Sequence, residues 1–179
     1  MTADTSTDRD ADSSPNGDLG PETAADGRGE TELARLTQWL RQRPNSIELW
    51  ELVVTDERLV WCFVGESYRS MLLRADMGKR DRALVDDSRL EELVDLDEAN
   101  FAVPLERLES IRLTEGTRFR RARLEIEWDD QAGTRYDGSV TLVSTSDADS
   151  QRERMAALAE EPRLEGVAIA VESPGWSPF

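Results

Sequence analysis

The feature that most constrains the fold is a pair of apolar runs rich in β-branched and aromatic residues. Residues 47–55 read Ile-Glu-Leu-Trp-Glu-Leu-Val-Val-Thr, and residues 59–64 read Leu-Val-Trp-Cys-Phe-Val. Such residues favour strands, and the Asp-Glu-Arg segment between the runs is turn-forming. The sequence therefore predicts a β-hairpin. Its first strand is apolar on both faces except at Glu51, which predicts a central strand or one packed on both sides.

Further strands are predicted along the chain, beginning with residues 70–73 and continuing with residues 111–113, which follow a short turn carrying Leu105 and Leu108. Residues 124–128 read Leu-Glu-Ile-Glu-Trp, a strict alternation that places the apolar side chains inward and the glutamates outward. Residues 140–143 predict the next strand. Residues 164–171 predict a last one, which either joins the sheet edge or belongs to another α+β arrangement.

Three segments have helical patterns. Leu33, Leu36 and Leu40 recur at helical spacing before Pro44, which predicts an N-terminal amphipathic helix over residues 31–43. A brief helix is predicted at residues 88–94. Near the C-terminus, residues 150–153 fit a capping box and open a helix that ends before Pro162. Residues 76–87 are densely charged and predict a loop.

The hairpin resembles the opening of pleckstrin-homology-like (PH-like) domains, of the kind found in prokaryotic PH and GRAM-type modules. There a strand ending in Leu-Thr-Asp-x-Arg-Leu leads into a second apolar strand, and residues 52–61 here read Leu-Val-Val-Thr-Asp-Glu-Arg-Leu-Val-Trp. A Pro-Leu-x-x-Ile turn of those modules is similar to residues 103–113, Val-Pro-Leu-Glu-Arg-Leu-Glu-Ser-Ile-Arg-Leu. The resemblance covers residues 47–161. It implies an α+β, mainly β fold, with a strongly bent antiparallel sheet or partly open barrel and a C-terminal capping helix.

Composition sets the domain organisation and the environment. Residues 1–29 have almost no large apolar side chain and predict a disordered acidic tail, followed by one α+β domain over residues 30–172 and a tail at 173–179. The net charge is −16, and Lys79 is the only lysine. Acidic excess of this kind is typical of a protein from a salt-rich, halophilic cytoplasm.

The same charge narrows the partners and the location. A strongly acidic chain disfavours binding to nucleic acid or to an anionic membrane surface, because both require a basic footprint. Cys62 is the only cysteine, so no intrachain disulfide forms. No signal peptide and no apolar run of bilayer length occurs in the sequence. We therefore expect a cytoplasmic protein without a transmembrane segment, and the sequence leaves its oligomeric state open.

No set of residues suits a known type of catalysis. The chain has no histidine, no glycine-rich phosphate loop and no activated serine, cysteine or lysine. The acidic stretch that contains Asp95, Asp97, Glu98 and Asn100 lacks the glycine that a calcium loop needs. The sequence thus predicts no metal, no cofactor and no enzymatic activity, although a pair of converging carboxylates remains an alternative.

The most informative polar feature is an arginine island at residues 117–123, Thr-Arg-Phe-Arg-Arg-Ala-Arg. Arginine forms bidentate contacts with carboxylates and phosphates. The island therefore predicts either cross-strand ion pairs within the domain or a ligand site. The candidate ligand-binding residues are Arg118, Arg120, Arg121 and Arg123, with Lys79 and Arg80 from the charged segment.

Two functions follow as hypotheses. The first is an adaptor module that recognises a protein or peptide partner through an open sheet edge or groove. The second is binding of an anionic small ligand or lipid head group by the arginine island. In PH-like lipid binders the loop joining the first two strands is typically basic, whereas here it contains Asp56 and Glu57, which disfavours lipid recognition.

Overall fold

The computed structural model of the chain describes residues 29–68, 78–130, 136–145 and 149–174. Within these ranges the fold is mainly β, with two α-helices and three short 3₁₀-helices at Leu90–Leu96, Leu105–Arg107 and Pro162–Leu164. The strands are β1 (Glu32–Gln42), β2 (Ser46–Thr55), β3 (Arg58–Tyr68), β4 (Phe101–Pro104), β5 (Leu108–Thr114), β6 (Arg123–Trp128), β7 (Ser139–Ser144) and β8 (Ala168–Glu172). The α-helices are α1 (Lys79–Asp87) and α2 (Asp149–Ala159).

All eight strands belong to one mixed sheet, in the order β4-β3-β2-β1-β7-β6-β5-β8. Every neighbouring pair is antiparallel except β5 and β8, which run parallel. Strands β4 and β8 form the two edges, so the sheet is not closed into a barrel. The predicted C-terminal strand therefore joins the main sheet as an edge strand.

The predicted hairpin is confirmed as β2 and β3. At its turn the Thr55 hydroxyl accepts hydrogen bonds from the backbone N–H groups of Glu57 and Arg58, at 3.2 and 3.0 Å. A threonine side chain that binds the backbone in this way stabilises a tight turn. Strand β2 lies between β1 and β3 and is buried along most of its length, as its two apolar faces predict.

The predicted N-terminal helix is wrong, because residues 32–42 form β1. Leu36 pairs with Leu52 and Trp39 with Trp50, so β1 has one extra residue between these positions. Gln38, with φ of 65°, lies in this bulge. The bulge places Leu36 and Trp39 in the same buried cluster, which imitates the spacing of a helix. Pairing with β2 and β7 outweighs the local helical pattern.

The main cluster of buried side chains, called the inner core here, joins strands from both ends of the sheet. Its members include Leu36, Trp39, Trp50, Leu52, Leu59, Trp61, Ile111, Leu113, Leu124, Ile126, Trp128, Leu142 and Met155. Leu124, Ile126 and Trp128 point inward as predicted. Since β3 and β6 are not neighbours yet share this core, the sheet curls around it.

A second cluster, the outer core, lies on the opposite face of β2 and β3. It contains Leu40, Leu49, Val53, Val60, Cys62, Val64, Val85 and Leu93. Val85 belongs to α1, and Leu93 belongs to the 3₁₀-helix that was predicted as a brief helix. The predicted loop at residues 76–87 is wrong from Lys79 onward, because packing of Val85 and ion pairs from the segment hold it as α1. The strand predicted at residues 70–73 lies outside the described residues.

The C-terminal helix α2 is confirmed, with Met155 and Leu158 buried in the inner core. It packs against β1 and β8. No helix within the described ranges is long and apolar enough to cross a bilayer. The tail predicted for residues 1–29 falls outside the described residues up to residue 28.

Candidate functional site: an arginine cleft

The arginine island forms the connection between β5 and β6. Thr117 and Arg120 close a turn through mutual backbone hydrogen bonds of 2.7 and 3.3 Å. The Thr117 hydroxyl also accepts from the backbone N–H groups of Phe119 and Arg120, at 3.2 and 3.0 Å. A Cβ at Gly116 would meet the Arg120 carbonyl oxygen at 2.8 Å, so only glycine allows this close return of the chain. The turn is therefore tightly defined.

Next to this turn the surface forms a cleft of about 400 Å³, called the arginine cleft here. It is lined by Gln42, Thr114, Glu115, Arg120, Arg121, Arg123, Val143 and Pro174. The strand register explains the assembly, because Arg123 is the partner of both Thr114 on β5 and Val143 on β7. Three of the six predicted ligand-binding residues thus come together in one concave site.

The arginines of the island have no carboxylate partner among the described residues. Arg112, two residues along β5 from Thr114, behaves differently and pairs with Glu125 at 3.4 Å and Glu172 at 3.2 Å. Cross-strand pairing, one of the two predictions for the island, therefore occurs at Arg112. Arg118 does not line the cleft, and its guanidinium carbon lies 5.9 Å from the centre of the Phe119 ring.

Lys79 and Arg80 do not join the arginine cleft. Both are exposed at the start of α1, which packs on β3. Arg82, one turn further along the helix, points to the sheet and pairs with Glu51 at 2.6 Å. The described part of the charged segment, residues 78–87, thus anchors a helix and contributes no residue to the lining of the cleft.

Glu115 brings a carboxylate to the cleft, which sequence reasoning missed. It forms an ion pair with Arg152 of α2, and its other oxygen accepts a hydrogen bond of 3.3 Å from the Ser173 hydroxyl. Gln42 from β1 and Pro174 after β8 were missed as well. Gln42 and Pro174 are distant in sequence from the arginine island, so no local pattern could group them with it. Only the strand register brings them together.

Two buried glutamates have shifted pKa values for structural reasons. Burial raises the pKa of Glu51, although the hydrogen bond and charge of Arg82 oppose that shift. Burial acts in the same direction on Glu48, but hydrogen bonds from Arg43 and Trp50 and the charge of Arg41 outweigh it and hold the pKa below its ordinary value. Arg43 donates to Glu48 at 2.8 Å. Both carboxylates are thus engaged in ion pairs at some distance in sequence from the arginine island.

Cys62 and the acidic stretch at residues 95–100 have structural roles. Burial raises the pKa of the Cys62 thiol to about 12, so the thiolate is scarcely formed at neutral pH. In the acidic stretch weighed as a metal loop, Asp97 accepts from the Ala99 N–H and Asn100 accepts from the Phe63 N–H, both at 2.7 Å. No group of three or more Cys, Asp or Glu side chains in the described ranges could hold a metal ion.

Comparison of the chain with protein-family models, with curated proteins and with solved structures finds no match in any of the three.

Proposed function

We propose that this protein is a non-enzymatic binding module that recognises an anionic group in the arginine cleft. The observation that carries the proposal is the convergence of Arg120, Arg121 and Arg123 on one cleft without a carboxylate partner among the described residues. Guanidinium groups bind carboxylates and phosphates through two parallel hydrogen bonds, which are strong and geometrically selective. The ligand therefore carries a carboxylate or a phosphate.

The acidic composition strengthens this inference. The chain has 38 acidic residues against 22 basic ones, so carboxylates are abundant. Elsewhere in the fold arginine is commonly paired, as at Arg35, Arg41, Arg43, Arg58, Arg82, Arg89, Arg112, Arg152 and Arg163. The unpaired guanidinium groups of the cleft are thus not explained by a shortage of acids. They concentrate positive charge in an otherwise negative surface.

The architecture supports a binding module of the PH-like type. The resemblance implied a bent antiparallel sheet with a C-terminal helix, and the curled sheet of β1 to β7 with α2 packed on the inner core agrees with that arrangement. Strand β8 is an addition to it. The absence of histidine and the buried Cys62 support a role without catalysis.

Calorimetry with pyrophosphate and with citrate tests the proposal. The double variant Arg121→Ala/Arg123→Ala is compared with Arg80→Ala/Arg107→Ala, which changes the net charge equally at residues outside the cleft. We expect the cleft variant to bind at least about tenfold more weakly, since one lost charged hydrogen bond is worth ~1.5–3 kcal/mol, and the control to bind like wild type. Absence of anion binding by the wild-type protein, or equal loss in both variants, would overturn the proposal.

A second candidate is recognition of a peptide strand along β8, and the exposed edge of the sheet favours it. Ala168, Val171 and Glu172 of this strand are exposed, and the strand contains neither lysine nor proline, the residues that commonly protect an edge. An extended peptide can add to such an edge through backbone hydrogen bonds. A photo-crosslinking residue at position 171 should capture one discrete partner in cells, whereas the same residue at the exposed Thr141 on β7 should not. Identical products from both positions would contradict this candidate.

A further inference from the structure

Phe119 is the most exposed large apolar side chain in the described part of the chain. It is 90% exposed, against 53% for Tyr68 and 49% for Leu84. It lies in the turn between Thr117 and Arg120, in the middle of the arginine island. A phenylalanine ring gains free energy when a partner covers it, so Phe119 is a candidate contact for a ligand.

The turn fixes where the ring is presented. The backbone N–H of Phe119 donates to the Thr117 hydroxyl, and Gly116 lets the chain return closely against Arg120 and Ala122. The Arg118 guanidinium lies near the ring. The exposed ring therefore lies near Arg118, on a turn whose backbone is already ordered. Binding through this ring costs little additional backbone entropy.

The ring and the arginine cleft are neighbours but are separate features. Arg120 lines the cleft, whereas the adjacent Phe119 does not. A small anion that occupies the cleft of about 400 Å³ would leave the ring in water. A ligand that covers both features must extend beyond the cleft, as a macromolecular surface does.

We propose that the natural ligand is an acidic protein segment that also carries large apolar side chains. One acidic side chain enters the arginine cleft, and the apolar side chains cover Phe119. This inference rests on the proposed function and adds the class of partner. Phenylalanine and arginine are both enriched in protein interfaces relative to the rest of the protein surface.

An anionic bilayer fits these observations less well. The net charge of −16 repels an extended anionic surface at low salt. At high salt the attraction of a bilayer for the four arginines is screened, which leaves one phenylalanine to hold the protein. Short bidentate pairs inside a protein interface are desolvated and survive salt better.

Two labelled peptides of equal charge test the inference: repeats of Glu-Glu-Leu and repeats of Glu-Glu-Ser. Wild type and Phe119→Ser are titrated with each peptide and with pyrophosphate. We expect the leucine peptide to bind about tenfold more weakly to Phe119→Ser, because burial of the ring is lost. The serine peptide and pyrophosphate should bind equally to both proteins. Circular dichroism should be unchanged, since the ring is 90% exposed.

The outcomes separate this inference from the proposed function. Equal binding of the leucine peptide to wild type and Phe119→Ser would overturn the inference, whereas pyrophosphate binding that depends on Arg121 and Arg123 would leave the proposed function standing. Binding of wild type to phosphatidylglycerol vesicles, lost in Phe119→Ser, without binding of the leucine peptide would overturn the inference in favour of a membrane. Failure of pyrophosphate and citrate to bind would overturn the proposed function itself.

Discussion

The ring centroids of Trp61 and Trp128 lie 5.8 Å apart, although β2, β1 and β7 separate their strands in the sheet. In a flat sheet, strands four positions apart would be separated by roughly 19 Å, since neighbours are spaced at about 4.8 Å. The sheet therefore curls until its two halves face each other. Phe101 stacks on Trp61 at 5.2 Å and completes the aromatic contact between the halves.

This contact predicts a large loss of stability for Trp61→Ala. Trp61 is fully buried, and its removal leaves a cavity between the two halves of the sheet. We expect the free energy of unfolding to fall by about 3–5 kcal/mol, measured by denaturant titration. The exposed Thr141→Ala on β7 serves as control and should change it by less than about 0.5 kcal/mol. A loss for Trp61→Ala as small as that of the control would show that the halves do not share a core.

The ion pair between Arg82 and Glu51 predicts a stability that depends on pH. A carboxyl group whose pKa is raised by folding stabilises the native state below its unfolded pKa, and this stability is lost as the pH rises through the folded pKa. Burial raises the pKa of Glu51, and Arg82 opposes that rise. Arg82→Ala should therefore cost about 3–5 kcal/mol near pH 7, where a buried carboxylate loses its partner, and less near pH 4, where Glu51 is protonated.

Denaturant titrations at several pH values measure this difference. Arg80→Ala is the matched control, because Arg80 lies on the same helix, is exposed and forms no ion pair with a described residue. A cost of Arg82→Ala that is the same at every pH would mean that α1 is anchored by packing of Val85 and not by the charge of Glu51.

The contribution of Glu48 to stability should depend on pH in the opposite sense to that of Glu51. Burial would raise its pKa, but Arg43, Trp50 and Arg41 together hold it below the ordinary value of 4.5. Its contribution to stability is therefore present above that value and is lost as the pH falls through the lowered pKa. Glu48→Gln should cost about 1–3 kcal/mol at neutral pH, and its stability should decline less steeply in acid than that of wild type. Glu109→Gln, at an exposed position on β5, should follow the wild-type curve.

The strand predictions are most accurate where apolar residues alternate with polar ones, or where they follow one another almost without interruption. Residues 47–55 and 124–128 became β2 and β6 for this reason. The helix predicted at residues 31–43 is wrong because a bulge at Gln38 shifts the inward positions of β1 by one residue. This shift produces helical spacing within a strand. Such a bulge depends on the pairing of β1 with β2, and local sequence does not contain that information.

The candidate site was predictable in part. The density of arginine at residues 118–123 identified three lining residues of the cleft, because a charge cluster is visible in one stretch of sequence. Lys79 and Arg80 were grouped with them on charge alone, but α1 holds them elsewhere. Gln42 joins the cleft through the pairing of β1 with β7, and Pro174 joins it through the parallel pairing of β5 with β8, which are long-range properties.

We expect the negative charge of Glu115 to weaken the binding of anions in the arginine cleft. Its carboxylate lines the cleft beside three arginines and is held by Arg152 and Ser173. Glu115→Gln keeps the size of the side chain and removes a negative charge from the site. We expect pyrophosphate to bind about three- to tenfold more tightly, as loss of one like charge at short range predicts, with a smaller gain at molar salt. Calorimetry at two salt concentrations measures both effects.

The control for this prediction is Glu172→Gln, which removes the same charge from the neighbouring strand β8. Glu172 pairs with Arg112 and does not line the cleft, so its loss should change pyrophosphate binding little. Equal gains in both variants would mean that pyrophosphate responds to net charge and not to the cleft. Weaker binding by Glu115→Gln alone would assign Glu115 a positioning role, because its pair with Arg152 would then be needed to hold α2 against the end of β5.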